Sequence, residues 1–181
     1  MPGPVFIEGD GIELRTIEQA DVEFLQEGVN HPAVRQYAGG DVPCNRRRYE
    51  EERFDPVAGG EFVELLVCDG DERLGDVSLA PIDERRGWAN LGVWIHPDRQ
   101  GRGYATEAAR LLVTHGFGEL RLHRVSATVA AINDASKRVL EKLGFVHEGT
   151  KRDDAFVDGD HVDREVYAVL GDEWPAAPRR G

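Results

Sequence analysis

A chain of 181 residues is long enough for a single hydrophobic core and is expected to form one domain. Its net charge of −12 offers no basic field to nucleic acid or an anionic membrane, although backbone amides can still hold a phosphorylated ligand locally. No run approaches the roughly 18 apolar residues of a membrane span, Met1-Pro2-Gly3-Pro4 begins nothing like a signal peptide, and a cytoplasmic protein is expected.

Cys44 and Cys68 have neither metal nor redox spacing and read as unpaired thiols. The basic residues are nearly all arginine, with Lys137, Lys142 and Lys151 the only lysines. Acid excess with scarce lysine fits a salt-adapted proteome and equally a GC-rich mesophile. The histidines lack ligand spacings such as His-Glu-x-x-His, and no metal is expected.

In chain order, Gly11–Thr16 alternates Ile12 and Leu14 with Glu13 and Arg15, the pattern of a half-buried strand. Glu18–Glu27 gathers Ala20, Phe24 and Leu25 on one side and predicts a helix, ended by His31-Pro32 and Gly39-Gly40. Asn45–Phe54 is charged and predicts a second helix, closed by Pro56 and Gly59-Gly60. Phe62–Cys68, Leu74–Ile82 and Trp88–Ile95 follow as strands with no helix between them, an antiparallel meander whose first turn is Asp69-Gly70.

Gln100-Gly101-Arg102-Gly103-Tyr104-Ala105 then leads into a run with Ala105, Ala108, Ala109, Leu112 and Val113 at helical spacing. Strand, glycine turn and helix N-terminus together make an anion site, because the first amides of a helix are unpaired and lie at the positive end of its dipole. The residues from Gln100 to Thr106 are therefore read as a pyrophosphate cradle. A P-loop would need Gly-Lys-Ser/Thr here, and a dinucleotide fingerprint would need glycine at Thr106. Beyond the helix, Val125, Ala127 and Val129 mark a strand parallel to Trp88–Ile95. Asn133–Leu143 is a helix with Asn133 at the N-cap and Gly144 just past its end. Phe145–Lys151 and Val162–Leu170 form a closing hairpin around a polar loop at Arg152–His161, and the tail from Pro175 frays. The result is a mixed α/β domain over 1–174.

The hexad resembles the acetyl-CoA signature of GNAT-type N-acetyltransferases, Gln/Arg-x-x-Gly-x-Gly/Ala, met by Gln100, Gly103 and Ala105. Asn133-Asp134-Ala135-Ser136, continued to Gly144-Phe145, resembles that family's second landmark. Glu148-Gly149, Asp163, Tyr167 and Glu173-Trp174 resemble its RimJ/RimL-like subgroup, which acetylates protein N-terminal amines. The resemblance implies the GNAT fold: a mostly antiparallel mixed sheet whose one parallel strand pair splays apart, with flanking helices. It implies acetyl-CoA as co-substrate, its pantetheine arm pairing with the backbone of Val93, Trp94 and Ile95. Its phosphates would lie against Gln100, Gly101, Arg102, Gly103, Tyr104, Ala105 and Thr106, with Asn133 holding the arm.

By the same resemblance a neutral amine attacks the thioester directly, and Ser136 supplies the proton for the departing thiolate. The usual tyrosine four residues after Ser136 is Leu140 here. The glutamate that relatives often carry on the strand before the signature is Asn90; Glu148 is the substitute base chosen, with Glu64 and His96 as alternatives. The acceptor read first is a protein or peptide N-terminal α-amine. A small amine such as a polyamine, an amino acid or an aminoglycoside-like drug is the enzymatic alternative, and an acyl-CoA-binding sensor the non-enzymatic one. The acceptor pocket is expected around Asn30–Phe54 and Arg152–His161, and a homodimer through the final hairpin stays open.

Overall fold

The computed structural model describes residues 1–38, 42–54 and 61–175. Two short strands, β1 (Val5–Glu8) and β2 (Glu13–Arg15), precede α1 (Val22–Asn30), α2 (Pro32–Ala38) and α3 (Arg46–Phe54). The meander is β3 (Glu61–Asp69), β4 (Glu72–Asp83) and β5 (Trp88–Ile95). After it come α4 (Tyr104–Gly118), β6 (Arg124–Ala130), α5 (Asp134–Lys142), β7 (Val146–Val157) and β8 (Asp160–Leu170). All eight strands form one sheet in the order β1-β2-β3-β4-β5-β6-β8-β7. Every neighbouring pair is antiparallel except β5 and β6.

Side-chain alternation along the strands sends the two faces to different partners. On one face, Leu65, Val77, Leu79, Leu91, Ile95, Val125 and Ala127 pack with Ala108, Leu112 and Val113 of α4 and Leu140 of α5, making the main core. On the other, Leu66 and Cys68 pack with Val22 and Leu25 of α1 and Tyr49 of α3, joined by Phe24 and Trp94. The apolar stripe read along the signature helix is the buried one: Ala108, Ala109, Leu112 and Val113 are fully enclosed.

Several boundaries differ from the sequence reading. β1 carried no alternation to read, since Val5 and Phe6 are both exposed on an edge strand. The strand read over Gly11–Thr16 contracts to Glu13–Arg15. The first helix starts later, after a 3₁₀ turn at Gln19–Asp21, and runs to Asn30. His31-Pro32, read as a break, instead opens α2 with proline in its first turn, where the missing N–H costs nothing. The polar loop at Arg152–His161 is mostly strand, because β7 and β8 run on to a two-residue turn at Asp158-Gly159 with left-handed φ of 52° and 94°. The breaks at Gly39-Gly40, Pro56 and Gly59-Gly60, and the tail beyond Pro175, lie outside the described residues.

Candidate active site

β5 and β6 hold each other only at one end. Trp88, Ala89 and Asn90 pair with Arg124, Val125 and Ser126, and the pairing stops there. β5 stays bound to β4 up to Ile95, and β6 to β8 up to Ala130. The two strands therefore part beyond Asn90 and Ser126, and a gap opens in the middle of the sheet.

Hydrogen-bond parity decides what faces that gap. The His96 N–H donates to the Leu74 carbonyl at 2.8 Å, on the β4 side, whereas the Gly87 carbonyl accepts from His123 and Arg124 on the β6 side. Even-numbered residues of β5 thus turn their main chain to β4 and odd-numbered ones away from it. Val93 presents both N–H and C=O to the gap, Ile95 presents its N–H, and Leu91 presents only its C=O, because its N–H completes the pairing of Asn90 with Ser126. Of the three residues expected to pair with a pantetheine arm, Val93 and Ile95 fit. Trp94 does not: its backbone is turned to Asp76 on β4, and its indole lies on the α1 face. Leu91, not among the residues expected to meet the arm, adds a carbonyl on the gap side, a consequence of register alone.

The cradle stands at the open end of β5. Gly101 and Gly103 have φ of 76° and 86°, and no heavy atom lies within 4 Å of where a Cβ would sit on either. Left-handed backbone is inexpensive only for glycine, so these positions permit the turn and keep its outer side bare. The first bond of α4 runs from the Glu107 N–H to the Gly103 carbonyl at 3.0 Å, so the amides of Tyr104, Ala105 and Thr106 have no acceptor inside the helix. Three donors at a positive helix end, over open space, fit a pyrophosphate. Gln100 acts differently from a direct ligand: its Nε2 donates to the Ile95 carbonyl at 2.8 Å and ties the cradle to the gap-lining strand. The Tyr104 hydroxyl donates to Asp69 at 3.4 Å, and Arg102 is exposed.

α5 begins where β6 ends. The Asn133 side chain accepts from the Ser136 N–H at 3.2 Å, so it caps the helix. Ser136 is half-buried in the first turn, one turn before the buried Leu140 on the same side of α5. Glu148 is committed elsewhere. Arg124 donates to both its oxygens, at 2.7 Å to Oε1, and that hydrogen bonding holds the carboxyl below its ordinary range. A carboxylate stabilised in its charged form is a poor proton acceptor, which works against the base role expected of it. His96 accepts from the Asp98 N–H at 3.3 Å through Nδ1 and packs against Phe24 and His31. Glu64 sits opposite Ser78 in register on the α1 face, half-buried.

On that same face, beside the free end of β6, a cavity of about 270 Å³ lies between α2 and the closing hairpin. Gln36 and Tyr37 line one side, Asp153, Phe156 and Arg164 the other, and Ala130 its floor. It joins the two stretches from which an acceptor pocket was expected. A larger hollow of about 390 Å³ beside α5 is lined by charged groups, four of which form the pairs Lys137 with Asp134 and His147 with Glu165. It does not adjoin the gap-lining strand β5.

Residues 12–146 match the family model described as Acetyltransferase (GNAT) domain. This chain is a GNAT acetyltransferase. It is 31% identical over 178 residues, covering 90% of this chain and 93% of the other, to "Putative ribosomal N-acetyltransferase YdaF" of Bacillus subtilis (strain 168). Its fold superposes on the spermidine N-acetyltransferase of Vibrio cholerae in complex with CoA and spermine, with a TM-score of 0.81 at 24% identity over 90% of this chain and 97% of that one. It also superposes on RimL, a ribosomal L7/L12 alpha-N-protein acetyltransferase in complex with coenzyme A, with a TM-score of 0.77 at 21% identity over 92% and 98%. The acetyltransferase thus has the eight-stranded mixed sheet and splayed parallel pair of its family and uses acetyl-CoA as co-substrate. Among the described residues, no helix is long and apolar enough to cross a membrane.

Proposed function

We propose that this acetyltransferase acts on the α-amine of a protein or peptide N-terminus. The observation that carries the reading is that two positions read for a general base, Asn90 and Glu148, do not supply a strong one. Asn90 stands where relatives often have glutamate, and Arg124 holds the Glu148 carboxylate in its charged form. An α-amine has an ordinary pKa of about 7.7–8.0, so a useful neutral fraction exists near neutrality; a lysine-like primary amine near 10.4 would need far more help.

In the reaction, the amine nitrogen of the acceptor attacks the thioester carbon and forms the new C–N bond. The carbonyl oxygen takes the negative charge, and gap-facing N–H groups of β5 stabilise it, donors of a kind worth about 10²–10³ in rate. Collapse breaks the C–S bond. The nitrogen loses a proton to solvent, and the thiolate gains one from the Ser136 hydroxyl, which is replenished from water. The open side of the 270 Å³ cavity, between α2 and the hairpin, leaves room for the rest of a peptide.

A second reading, a cationic small amine, is favoured by Asp153 and Asp154 beside that cavity, although Arg164 pairs with Asp154 at 3.1 Å. The test is free-thiol release from acetyl-CoA with peptides bearing free or blocked N-termini, set against spermidine and simple amines. Turnover with free N-termini and none with the blocked ones supports the proposal; turnover with polyamines alone replaces it.

A further inference from the structure

Two strand edges face the gap, whereas the co-substrate brings one extended arm. On β6 the parity is as clear as on β5. The Ala131 N–H donates to Asp163 on β8 at 2.8 Å, and Arg124 donates to Gly87 on the β5 side. Odd-numbered residues of β6 therefore bond to β8, and even-numbered ones turn toward β5. Arg124 and Ser126 find β5 there. Thr128, two residues on, finds no strand, and its N–H and C=O both point into the opening.

Ala130 presents its N–H in the same direction, while its carbonyl accepts from Asn133. Ala130 also floors the cavity between α2 and the hairpin. The free edge of β6 is thus continuous with the cavity on the α1 face, and the free edge of β5 with the cradle through Gln100. Unpaired main-chain groups on a strand edge are a template for another extended chain.

We propose that the edge of β6 at Thr128 binds the acceptor's own backbone: the first peptide N–H of the acceptor, that of its second residue, donates to the Thr128 carbonyl, and the carbonyl of that same second residue accepts from the Thr128 N–H. This inference rests on the N-terminal reading above. It makes the acceptor a short added strand, with the cofactor arm along β5 and the acceptor along β6. The enzyme then selects an α-amine because only an α-amine has an amide at a fixed distance behind it. Side chains near the amine matter less than that amide.

The experiment uses the full-length enzyme and three acceptors, at a pH above the pKa of every amine compared. One is a short peptide with a free N-terminus, one the same peptide with its first amide replaced by an ester or N-methylated, and one a simple diamine. Loss of that single N–H should lower kcat/KM for the acceptor about tenfold, the scale of one net hydrogen bond, with KM for acetyl-CoA unchanged. Equal kcat/KM for amide, ester and N-methyl peptides overturns docking on β6 while leaving N-terminal acetylation intact. Acetylation of the diamine with no peptide turned over overturns both.

Discussion

The indole Nε1–H of Trp94 donates to the carboxylate of Asp76 at 2.7 Å, across the β4–β5 pair and beneath α1. Asp76 is only 4% exposed, so its carboxyl group has left water, and the indole bond is one compensation for that. Phe24 of α1 stacks on the same indole at 5.9 Å. Trp94 sits between Val93 and Ile95, whose main chains face the gap, so whatever fixes the indole also fixes the edge offered to the cofactor arm.

Replacing Asp76 isolates this hydrogen bond. Asp76→Ala leaves the indole N–H without this acceptor and should cost about 1–3 kcal/mol, the range for a buried donor left unpaired, read as a lowered urea midpoint. Asp76→Asn keeps an acceptor oxygen and should recover most of the loss. If the alanine variant unfolds at the wild-type midpoint, the bond contributes nothing to the fold.

Gly28 makes the space for that indole. A Cβ on Gly28 would lie 2.0 Å from the Trp94 ring. α1 is otherwise an ordinary amphipathic helix, where glycine costs about 1 kcal/mol relative to alanine. Gly28→Ala should therefore destabilise, by about 1–3 kcal/mol as the indole or the helix shifts, although helix propensity alone predicts the opposite sign. A thermal melt decides between them, and a raised Tm would mean that the indole is not confined here.

The glycine turn before α4 was legible because its parts lie within the seven consecutive residues from Gln100 to Thr106, with glycine where left-handed backbone is needed. The gap was legible only through resemblance, since where β5 and β6 stop pairing depends on β4 and β8 holding them from outside. The tie between Arg124 and Glu148 spans β8 and 24 residues, and no local pattern announces it. The resemblance implied Val93, Trp94 and Ile95 as a run of three, whereas main-chain direction alternates along a strand, and only the register shows that Trp94 turns its backbone to β4. α2 was hidden by Pro32, a residue that stops helices in their interior and starts them at the first turn.

Gly103→Val should separate binding from folding. Nothing in the free protein crowds a side chain at this position, so the variant pays mainly for β-branched backbone at φ 86°, about 1–2 kcal/mol. The larger effect falls on the ligand, because an isopropyl group fills the bare side of the cradle. The dissociation constant for CoA, by calorimetry, should rise at least about tenfold while the protein remains folded. Unaltered affinity would place the pyrophosphate elsewhere.

Ser136→Ala tests the thiolate's proton source. The helix cap is made by the Asn133 side chain to the Ser136 backbone and survives the change. Turnover at saturating acetyl-CoA and acceptor should fall roughly 10²-fold, within the usual range for a positioned acid, with CoA affinity nearly unchanged. A variant as fast as wild type would remove the hydroxyl from the reaction.

Glu148→Gln distinguishes a structural carboxylate from a base. A catalytic base at this position would make the glutamine variant at least about 10²-fold slower; with the carboxylate held by Arg124, turnover near pH 8 should stay within a few-fold of wild type. The pH dependence of stability should change instead. The folded-state pKa of Glu148 is depressed, chiefly by the Arg124 hydrogen bond, so its stabilising contribution is complete above the unfolded carboxyl pKa of about 4.3 and is lost as pH falls through the lower folded value. Denaturant midpoints from pH 7 down to 3 should therefore fall less steeply for the variant than for wild type. The difference is small, because both partners are partly exposed, at 31% and 39%, and water screens the pair. A steep loss of turnover combined with an unchanged acid limb would reverse the assignment and return Glu148 to the chemistry.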